Sequence, residues 1–161
     1  MTDTRIDHVI DKDLKVNFRR AEKSDLANLK SLYKQLIPNA SPDEAFMDKE
    51  LSEILSHPHR GWISVCLQQD QVIATCQTVI YSNLIRAPFS KAVIDSVVVD
   101  EGFRNRGIGY ALMEWTMELL HKERCERVMV STAFSRTVAH RLYEGMGFDQ
   151  FGYTYLKVLE D

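Results

Sequence analysis

Cysteine and long apolar runs are scarce in this 161-residue chain, and basic residues do not outnumber acidic ones. Its three cysteines, Cys66, Cys76 and Cys125, have no Cys-x-x-Cys spacing. This excludes a disulfide framework and favours reduced thiols in a cytoplasmic protein. A net charge of −3 gives no electrostatic basis for binding nucleic acid or an anionic membrane. The longest uncharged run, residues 71–85, is interrupted by polar residues and is too short to cross a bilayer.

The polar side chains form no metal or nucleophile motif. His57 and His59 flank a proline with no third ligand at a suitable spacing, which is typical of a solvated turn, and we expect no bound metal. Ser131, Thr132 and Ser135 do not match a nucleophile elbow. The sequence therefore favours a reaction without a covalent enzyme intermediate.

The length fits a single domain with a sizeable core. Residues 1–15 are rich in charge and have no apolar block, so we expect neither a signal peptide nor an anchor there. We expect them to form a flexible segment or an added strand, followed by one domain over residues 16–161.

Apolar spacing predicts the order of helices and strands. The second helix has a strong start signal, with Ser41 as the cap and Pro42 at the first helical position. The order predicts an α/β fold with a mixed, mainly antiparallel central sheet that is flanked by helices on both faces. The predicted strands are residues 17–21, 61–67, 72–81, 92–99, 127–132 and 148–158, the last as one strand or a pair, and the helices are 24–36, 41–56, 107–124 and 136–146.

The hairpin of the second and third strands has a two-residue turn at Gln69-Asp70. This register pairs Cys66 with Ile73 and Cys76 with Ile63. Because side chains alternate between faces along a strand, it places the two thiols on opposite faces of the sheet.

The most informative segment is residues 97–109, where an apolar strand leads into a basic, glycine-spaced turn that opens a helix. The first turn of a helix has unpaired N–H groups and partial positive charge, which suit a phosphate. Gly107 and Gly109 permit close approach to the backbone, and Arg104 and Arg106 add guanidinium groups. The turn lacks the Gly-Lys-Ser/Thr ending of a P-loop, and Leu112 stands where a Rossmann turn has its third glycine. We therefore expect a phosphorylated ligand.

The Arg-x-x-Gly-x-Gly motif from Arg104 to Gly109 resembles the pyrophosphate loop of the GCN5-related N-acetyltransferases, which bind acetyl-coenzyme A. A second segment, residues 139–148, resembles the C-terminal motif of that family, with Tyr143 followed by Gly147-Phe148. Residues 92–99 occupy the place of the family's central strand. The resemblance extends over residues 17–158 and implies the acyl-CoA N-acyltransferase fold.

The resemblance also implies which residues bind the cofactor. The backbone of Val97, Val98 and Val99 would contact the pantetheine chain and the oxyanion. Arg136 replaces the asparagine common in the family, and it either reaches a phosphate or is solvated. His140 lies one residue off the apolar face of its helix, where it can approach the cofactor. The pyrophosphate loop and the first helical turn would supply Arg104, Asn105, Arg106, Gly107, Ile108, Gly109 and Tyr110.

Two catalytic residues follow from the same resemblance. Tyr143 would be the general acid that protonates the coenzyme A thiolate, and an ordinary packed tyrosine is the alternative. Asp95 stands where the family often has a glutamate that acts as a base through water. It would accept a proton or bind the acceptor ammonium, with a structural hydrogen bond as the alternative.

The function implied is an acetyl-CoA-dependent N-acetyltransferase that moves the acetyl group directly to a primary amine of a small molecule or a peptide N-terminus. A non-catalytic acyl-CoA sensor is the alternative, and transfer of a longer acyl group or transfer to oxygen also stays open. The first two helices, residues 82–90, Asp95 and the C-terminal strands would form the acceptor pocket. Homodimerisation is compatible with this family.

Overall fold

The structure, a computed structural model, describes residues 6–11, 14–39, 41, 43–82 and 84–159. By its internal contacts the chain divides into two compact units, Met1–Val130 and Ser131–Asp161. No helix within the described ranges is both long and apolar enough to span a membrane.

The first unit is built on one six-stranded sheet whose spatial order follows the sequence. All neighbouring strands are antiparallel except the last two, which are parallel. This confirms the predicted mixed, mainly antiparallel sheet. The strands are β1 (Ile6–Asp11), β2 (Leu14–Arg20), β3 (Gly61–Gln68), β4 (Gln71–Ser82), β5 (Ser90–Val99) and β6 (Cys125–Val130).

Strand β1 lies within residues 1–15, for which the sequence allowed two alternatives, a flexible segment or an added strand. It pairs antiparallel with β2, which gives the added strand over these residues. Residues 1–5 and 12–13 of the same segment lie outside the described residues. The predicted boundary of a single domain at residue 16 stays a prediction.

Helices of the first unit cover both faces of the sheet, as predicted: α1 (Leu26–Leu36) and α2 (Glu44–Ser56) on one, and α3 (Ile108–Lys122) on the other. Leu29 and Leu51 from the first two helices share a buried cluster with Val65 and Val98 of the sheet. On the opposite face, the ring of Trp115 stacks on that of Phe18, with centroids 6.2 Å apart. Burial of these apolar side chains holds the layers together.

The start of α2 differs from the prediction. Its cap is Asp43, whose carboxylate accepts a hydrogen bond of 2.7 Å from the backbone N–H of Phe46. The predicted cap, Ser41, is two residues too early to reach the first turn, and Pro42 lies outside the described residues. Aspartate and serine are both favoured N-cap residues, because their side-chain oxygens accept a hydrogen bond from an N–H of the first turn. Asp43 fills this role in place of Ser41.

The β3–β4 hairpin has the predicted turn, with positive φ at both Gln69 and Asp70, as a type I′ turn requires. Its predicted register was wrong by one residue, because a bulge next to Ile73 pairs Cys66 with Ala74. Cys66 and Cys76 therefore lie on the same face. Both thiols are free. Burial raises the pKa of Cys66 to about 12 and that of Cys76 to about 11, so both stay protonated at neutral pH.

The second unit contains helix α4 (Thr137–Gly145). The predicted final strand over residues 148–158 was wrong, because the structure assigns no strand among residues 131–159. Phe151, Tyr153 and Tyr155 alternate as strand residues do, but their side chains are exposed. Alternation shows only that a segment suits a sheet, whereas strand structure requires a hydrogen-bonded neighbour.

A buried ion pair joins the end of β2 to the start of α1. The guanidinium of Arg19 donates hydrogen bonds of 2.6 and 2.9 Å to the two carboxylate oxygens of Asp25. That carboxylate also accepts from the backbone N–H of Glu22. Hydrogen bonding to Asp25 is the main cause that raises the pKa of Arg19.

Loss of one partner of this pair leaves a buried charge without compensation. We expect Asp25→Ala to lower the free energy of unfolding by about 3–5 kcal/mol in urea denaturation. Asp48→Ala is the control, since Asp48 pairs with Lys23 on the surface, and we expect it to cost less than about 1 kcal/mol. Equal losses for the two variants would contradict this account of the Arg19–Asp25 pair.

Candidate functional site

Strand β5 contains a bulge immediately after Asp95. Asp95 lies opposite Gln77, and Val98 lies opposite Thr75. Two residues of β5, Ser96 and Val97, therefore lie opposite the single β4 residue between Gln77 and Thr75. Ser96 has a φ of +52°, a left-handed conformation that is uncommon for residues with a side chain. Its backbone N–H donates a hydrogen bond of 2.6 Å to Asp95 Oδ1. The bulge therefore holds the exposed Asp95 carboxylate in a fixed orientation.

Beyond the bulge, no strand among the described residues pairs with the outer edge of β5. The pairing of β5 with β6 ends at Ile94, opposite Val130. The backbone N–H of Asp100 donates to Ile73 of β4, and hydrogen-bonding direction alternates along an antiparallel strand. The N–H groups of Val97 and Val99 therefore point away from β4. These are two of the three valines that the sequence predicted as backbone donors.

The turn after β5 is fastened by a residue that the sequence analysis did not identify. The side chain of Gln35, near the end of α1, donates a hydrogen bond of 2.8 Å to Asp100 Oδ2 and accepts one of 2.9 Å from the backbone N–H of Glu101. Asp100 Oδ1 also accepts from the N–H of Gly102. Arg104 Nε donates to the carbonyl of Val99. These bonds fix the path of the chain from β5 to α3.

We expect Gln35→Ala to loosen this turn. Two hydrogen bonds, one of them to a carboxylate, are lost, so the free energy of unfolding in urea should fall by about 1–3 kcal/mol. If the turn positions a phosphate ligand, calorimetric affinity for acetyl-coenzyme A should also fall severalfold. Lys34→Ala, at the exposed neighbouring position on α1, is the control and should change neither quantity. An unchanged affinity in a destabilised Gln35→Ala protein would remove Gln35 from the site.

Helix α3 begins at the predicted place. Gly107 is its N-cap, with φ +78°, and has no side-chain cap. The first intrahelical bond runs from the N–H of Ala111 to the carbonyl of Gly107. The N–H groups of Ile108, Gly109 and Tyr110 therefore lie in the first turn, where a helix supplies no carbonyl for them. The side chain of Ile108 is buried, and this burial anchors the backbone of the first turn to the core.

The remaining residues of the predicted loop come just before these donors in the sequence. Asn105 adopts φ +61°, and Arg104, Asn105 and Arg106 are all exposed. The arrangement combines free backbone N–H groups, the positive end of a 15-residue helix and two guanidinium groups. It can bind a phosphate or pyrophosphate group.

A cavity of ≈ 220 Å³ lies on the face of the sheet that α1 and α2 cover. Glu53 and His57 from the end of α2 contribute to its wall. Their side chains are in contact, with Nδ1 of His57 and Oε1 of Glu53 3.1 Å apart, and the contact is an ion pair only when the imidazole is protonated. Gln77 of β4 also lines it and is the cross-strand partner of Asp95. The cavity is smaller than a typical drug-sized site, so it suits a small molecule or a short part of a larger one.

The second unit carries the other predicted residues on or beside α4. Tyr143 is 8% exposed and its ring packs edge-on against that of Phe148, with centroids 5.9 Å apart. The ring Nε2 of His140 lies 3.0 Å from the carbonyl oxygen of Ala133. Arg136 is exposed at the N-cap position. Within the described residues, no group of three or more His, Cys, Asp or Glu side chains is placed to hold a metal ion.

Comparison with known proteins gives three kinds of match. The model of the acetyltransferase (GNAT) family matches residues 26–148. N-alpha-acetyltransferase 30 of Dictyostelium discoideum is 36% identical over 58 residues, which are 36% of this chain and 31% of that protein. The Saccharomyces cerevisiae protein of the same name is 33% identical over 58 residues, 36% of this chain and 33% of that protein. The chain thus spans about a third of the length of these curated relatives.

Solved structures match over nearly the whole chain. A protein of Agrobacterium tumefaciens str. C58 that is assigned as an acetyltransferase has a TM-score of 0.78 and 29% identity, covering 89% of this chain and 99% of that one. Glucosamine-6-phosphate N-acetyltransferase of Arabidopsis thaliana has a TM-score of 0.79 and 24% identity, covering 90% and 99%. The second likeness concerns the fold alone.

Proposed function

Because the chain belongs to the acetyltransferase (GNAT) family, we propose that it transfers an acetyl group from acetyl-coenzyme A directly to a primary amine of a small molecule or a peptide N-terminus. The observation that carries this proposal is the continuity of β5, its bulge and the first turn of α3. One short segment supplies a carboxylate, outward backbone donors and a helix N-terminus that can bind phosphate. An acyl carrier with a pyrophosphate needs these groups in this order.

The residues present fit acetyl-coenzyme A. The N–H groups in the first turn of α3, with Arg104 and Arg106 nearby, would hold the pyrophosphate. The outward N–H groups of Val97 and Val99 would bind the pantetheine amides or the thioester carbonyl. When bound, acetyl-coenzyme A supplies an activated acetyl group as a thioester.

The protein's part in the chemistry is to move protons and stabilise charge. An alkyl ammonium with a pKa of ~10 is mostly protonated at neutral pH, so the acceptor must lose a proton before it attacks. The Asp95 carboxylate, oriented by the N–H of Ser96, would take that proton through water or hold the ammonium. Backbone N–H groups at the outer edge of β5 would stabilise negative charge on the carbonyl oxygen. Tyr143 would donate a proton to the departing thiolate.

The cavity beside Gln77 is our candidate for the acceptor site. It lies next to the cross-strand partner of Asp95 and has a volume of ≈ 220 Å³. The two curated relatives are N-alpha-acetyltransferases by name, and this name supports a peptide N-terminus as one acceptor class. A small free amine is the other class that fits the volume.

A screen for amine-dependent release of coenzyme A tests the proposal. Purified protein is incubated with acetyl-coenzyme A and either small primary amines or short peptides with free N-termini, and thiol release is followed together with the mass of the acceptor. An acceptor mass increased by one acetyl group, with matching thiol release, supports direct N-acetylation. A non-catalytic sensor would bind acetyl-coenzyme A and give no acceptor-dependent thiol release.

A further inference from the structure

The face of the sheet that carries Asp95 extends away from the bulge across β4, β5 and β6. Residues that pair across neighbouring strands have their side chains on the same face, and side chains along a strand alternate between faces. From the pair of Gln77 and Asp95, this rule places two further rows of side chains on the same face. The first row is Val79, Val93 and Met129, and the second is Tyr81, Lys91 and Arg127. We call these two rows the β4–β6 face.

The β4–β6 face is open to solvent, although its first row is apolar. Val79 is 46% exposed, Met129 43% and Tyr81 39%, whereas Ile94, whose side chain points to the opposite face, is 1% exposed. Val79 also lines the cavity of ≈ 220 Å³ beside Gln77. The open face is therefore continuous with the candidate acceptor site. Exposed apolar side chains that adjoin a binding cavity are typical of a surface that a ligand covers.

The second row places two positive charges side by side. Lys91 and Arg127 are partners in the parallel pairing of β5 and β6, and neighbouring strands lie about 4.8 Å apart. Neither side chain forms an ion pair with a carboxylate within the described part of the chain. Like charges on neighbouring strands are unfavourable, and both cations suit a carboxylate. An anionic group on the ligand would therefore complement this row.

The two ends of the surface differ in charge. Glu53 lines the cavity and Asp95 lies opposite Gln77 in its wall, so the carboxylates are at the cavity end. Lys91 lies four residues before Asp95 on β5, which separates their Cα atoms by roughly 13 Å at about 3.3 Å per residue. A ligand that complements both ends has an ammonium and an acidic group at a similar separation. A small monoamine has no group at that distance, whereas an extended peptide covers it in about four residues.

We propose that the β4–β6 face binds the chain of a peptide acceptor, and that Lys91 and Arg127 create a preference for acidic side chains at its third to fifth residues. This inference rests on the proposed function and chooses the peptide from its two acceptor classes. The N-terminal amine lies beside Asp95. The apolar row packs against the residues that follow, and the cationic row pairs with the acidic side chains.

Acetylation of three peptides of equal length, each with a free N-terminus, tests the preference. The first has glutamate at its third to fifth residues, the second has glutamine there, and the third has the glutamates near its C-terminus. We expect kcat/KM for the first peptide to be about 5-fold higher than for the other two, since exposed ion pairs contribute modestly. Equal values for the three peptides, or faster acetylation of a small monoamine than of any peptide, would overturn the inference.

Variants of the cationic row identify the residues responsible. Lys91→Gln should bring the ratio between the glutamate and glutamine peptides close to one, and Arg127→Glu should reverse it in favour of a peptide with lysine at the same positions. Lys122→Gln is the matched control, because it removes the same charge from an exposed position on α3, which covers the opposite face of the sheet. It should keep the wild-type ratio. An equal change of the ratio in Lys122→Gln and Lys91→Gln would contradict a local role.

Peptide binding without turnover separates this inference from the proposed function. Fluorescence anisotropy of the same peptides, labelled at their C-termini, is measured with free coenzyme A, which has no acetyl group to transfer. We expect the glutamate peptide to bind about 5-fold more tightly than the glutamine peptide, with the difference lost in Lys91→Gln and at high salt. This preference without any acetylated product would refute the proposed function alone. Equal binding, or a dimer that dissociates in Arg127→Glu and so shows that a second copy covers this face, would overturn the inference.

Discussion

Replacing Tyr143 by phenylalanine should lower kcat for acetyl transfer by at least ~10-fold, since a positioned proton donor typically contributes roughly 10²–10⁴-fold. The phenol pKa of ~10 and a thiol pKa of ~8.5 are close enough for a short proton transfer to the leaving thiolate. Affinity for acetyl-coenzyme A should not change, because the variant keeps the ring and loses one hydroxyl group. Steady-state kinetics and calorimetry measure the two quantities separately.

Phe148→Leu separates packing from chemistry in this prediction. It removes the edge-on ring contact with Tyr143, whose centroids are 5.9 Å apart, and should lower stability by about 0.5–1.5 kcal/mol. It keeps the phenol, so kcat should stay close to that of the wild type. A wild-type kcat in Tyr143→Phe would exclude Tyr143 from the mechanism.

Gly107→Ala should weaken binding of acetyl-coenzyme A by at least ~10-fold, which corresponds to about 1.4 kcal/mol. Gly107 adopts φ +78° at the N-cap of α3, where a Cβ atom is strained by about 1–2 kcal/mol. Relief of that strain shifts the N–H groups of the first turn, which are the proposed pyrophosphate donors. Calorimetric titration with acetyl-coenzyme A measures the effect.

Gly147→Ala provides a matched comparison for this substitution. Gly147 has nearly the same conformation, φ +82°, and a Cβ atom there would meet nothing within 4 Å. The two variants should lose similar stability in urea, while only Gly107→Ala should lose affinity for acetyl-coenzyme A. Equal affinity losses would show that backbone strain alone, and not the position of Gly107, explains the result.

Local signals in the sequence predicted the helices and the turn on which this site is built. The apolar face of α3 identified where the helix starts, and Gly107 lies there with φ +78°, a left-handed conformation that favours glycine. Apolar spacing identified α1, α3 and the hairpin turn. The family match over residues 26–148 confirms the resemblance drawn from the two motifs. The roles of individual site residues stay predictions.

Features that depend on contacts between distant segments could not be predicted in this way. Gln35 lies 65 residues before Asp100, and no periodicity marks it. The bulge in β4 beside Ile73 changed which residues pair, although the turn itself was predicted correctly. The bulge in β5 after Asp95 is likewise a matter of strand pairing. Residues 148–158 alternate as a strand does, yet form none among the described residues.

Calorimetric titration of the purified, folded chain with acetyl-coenzyme A is the most direct test of the central claim. The account predicts a single site with a dissociation constant in the micromolar range. It also predicts weaker binding of a coenzyme A analogue that lacks the pyrophosphate, because the first turn of α3 is the proposed anchor. Absence of binding to a protein shown to be folded would contradict the account, and the likeness to acetyltransferases would then concern architecture alone.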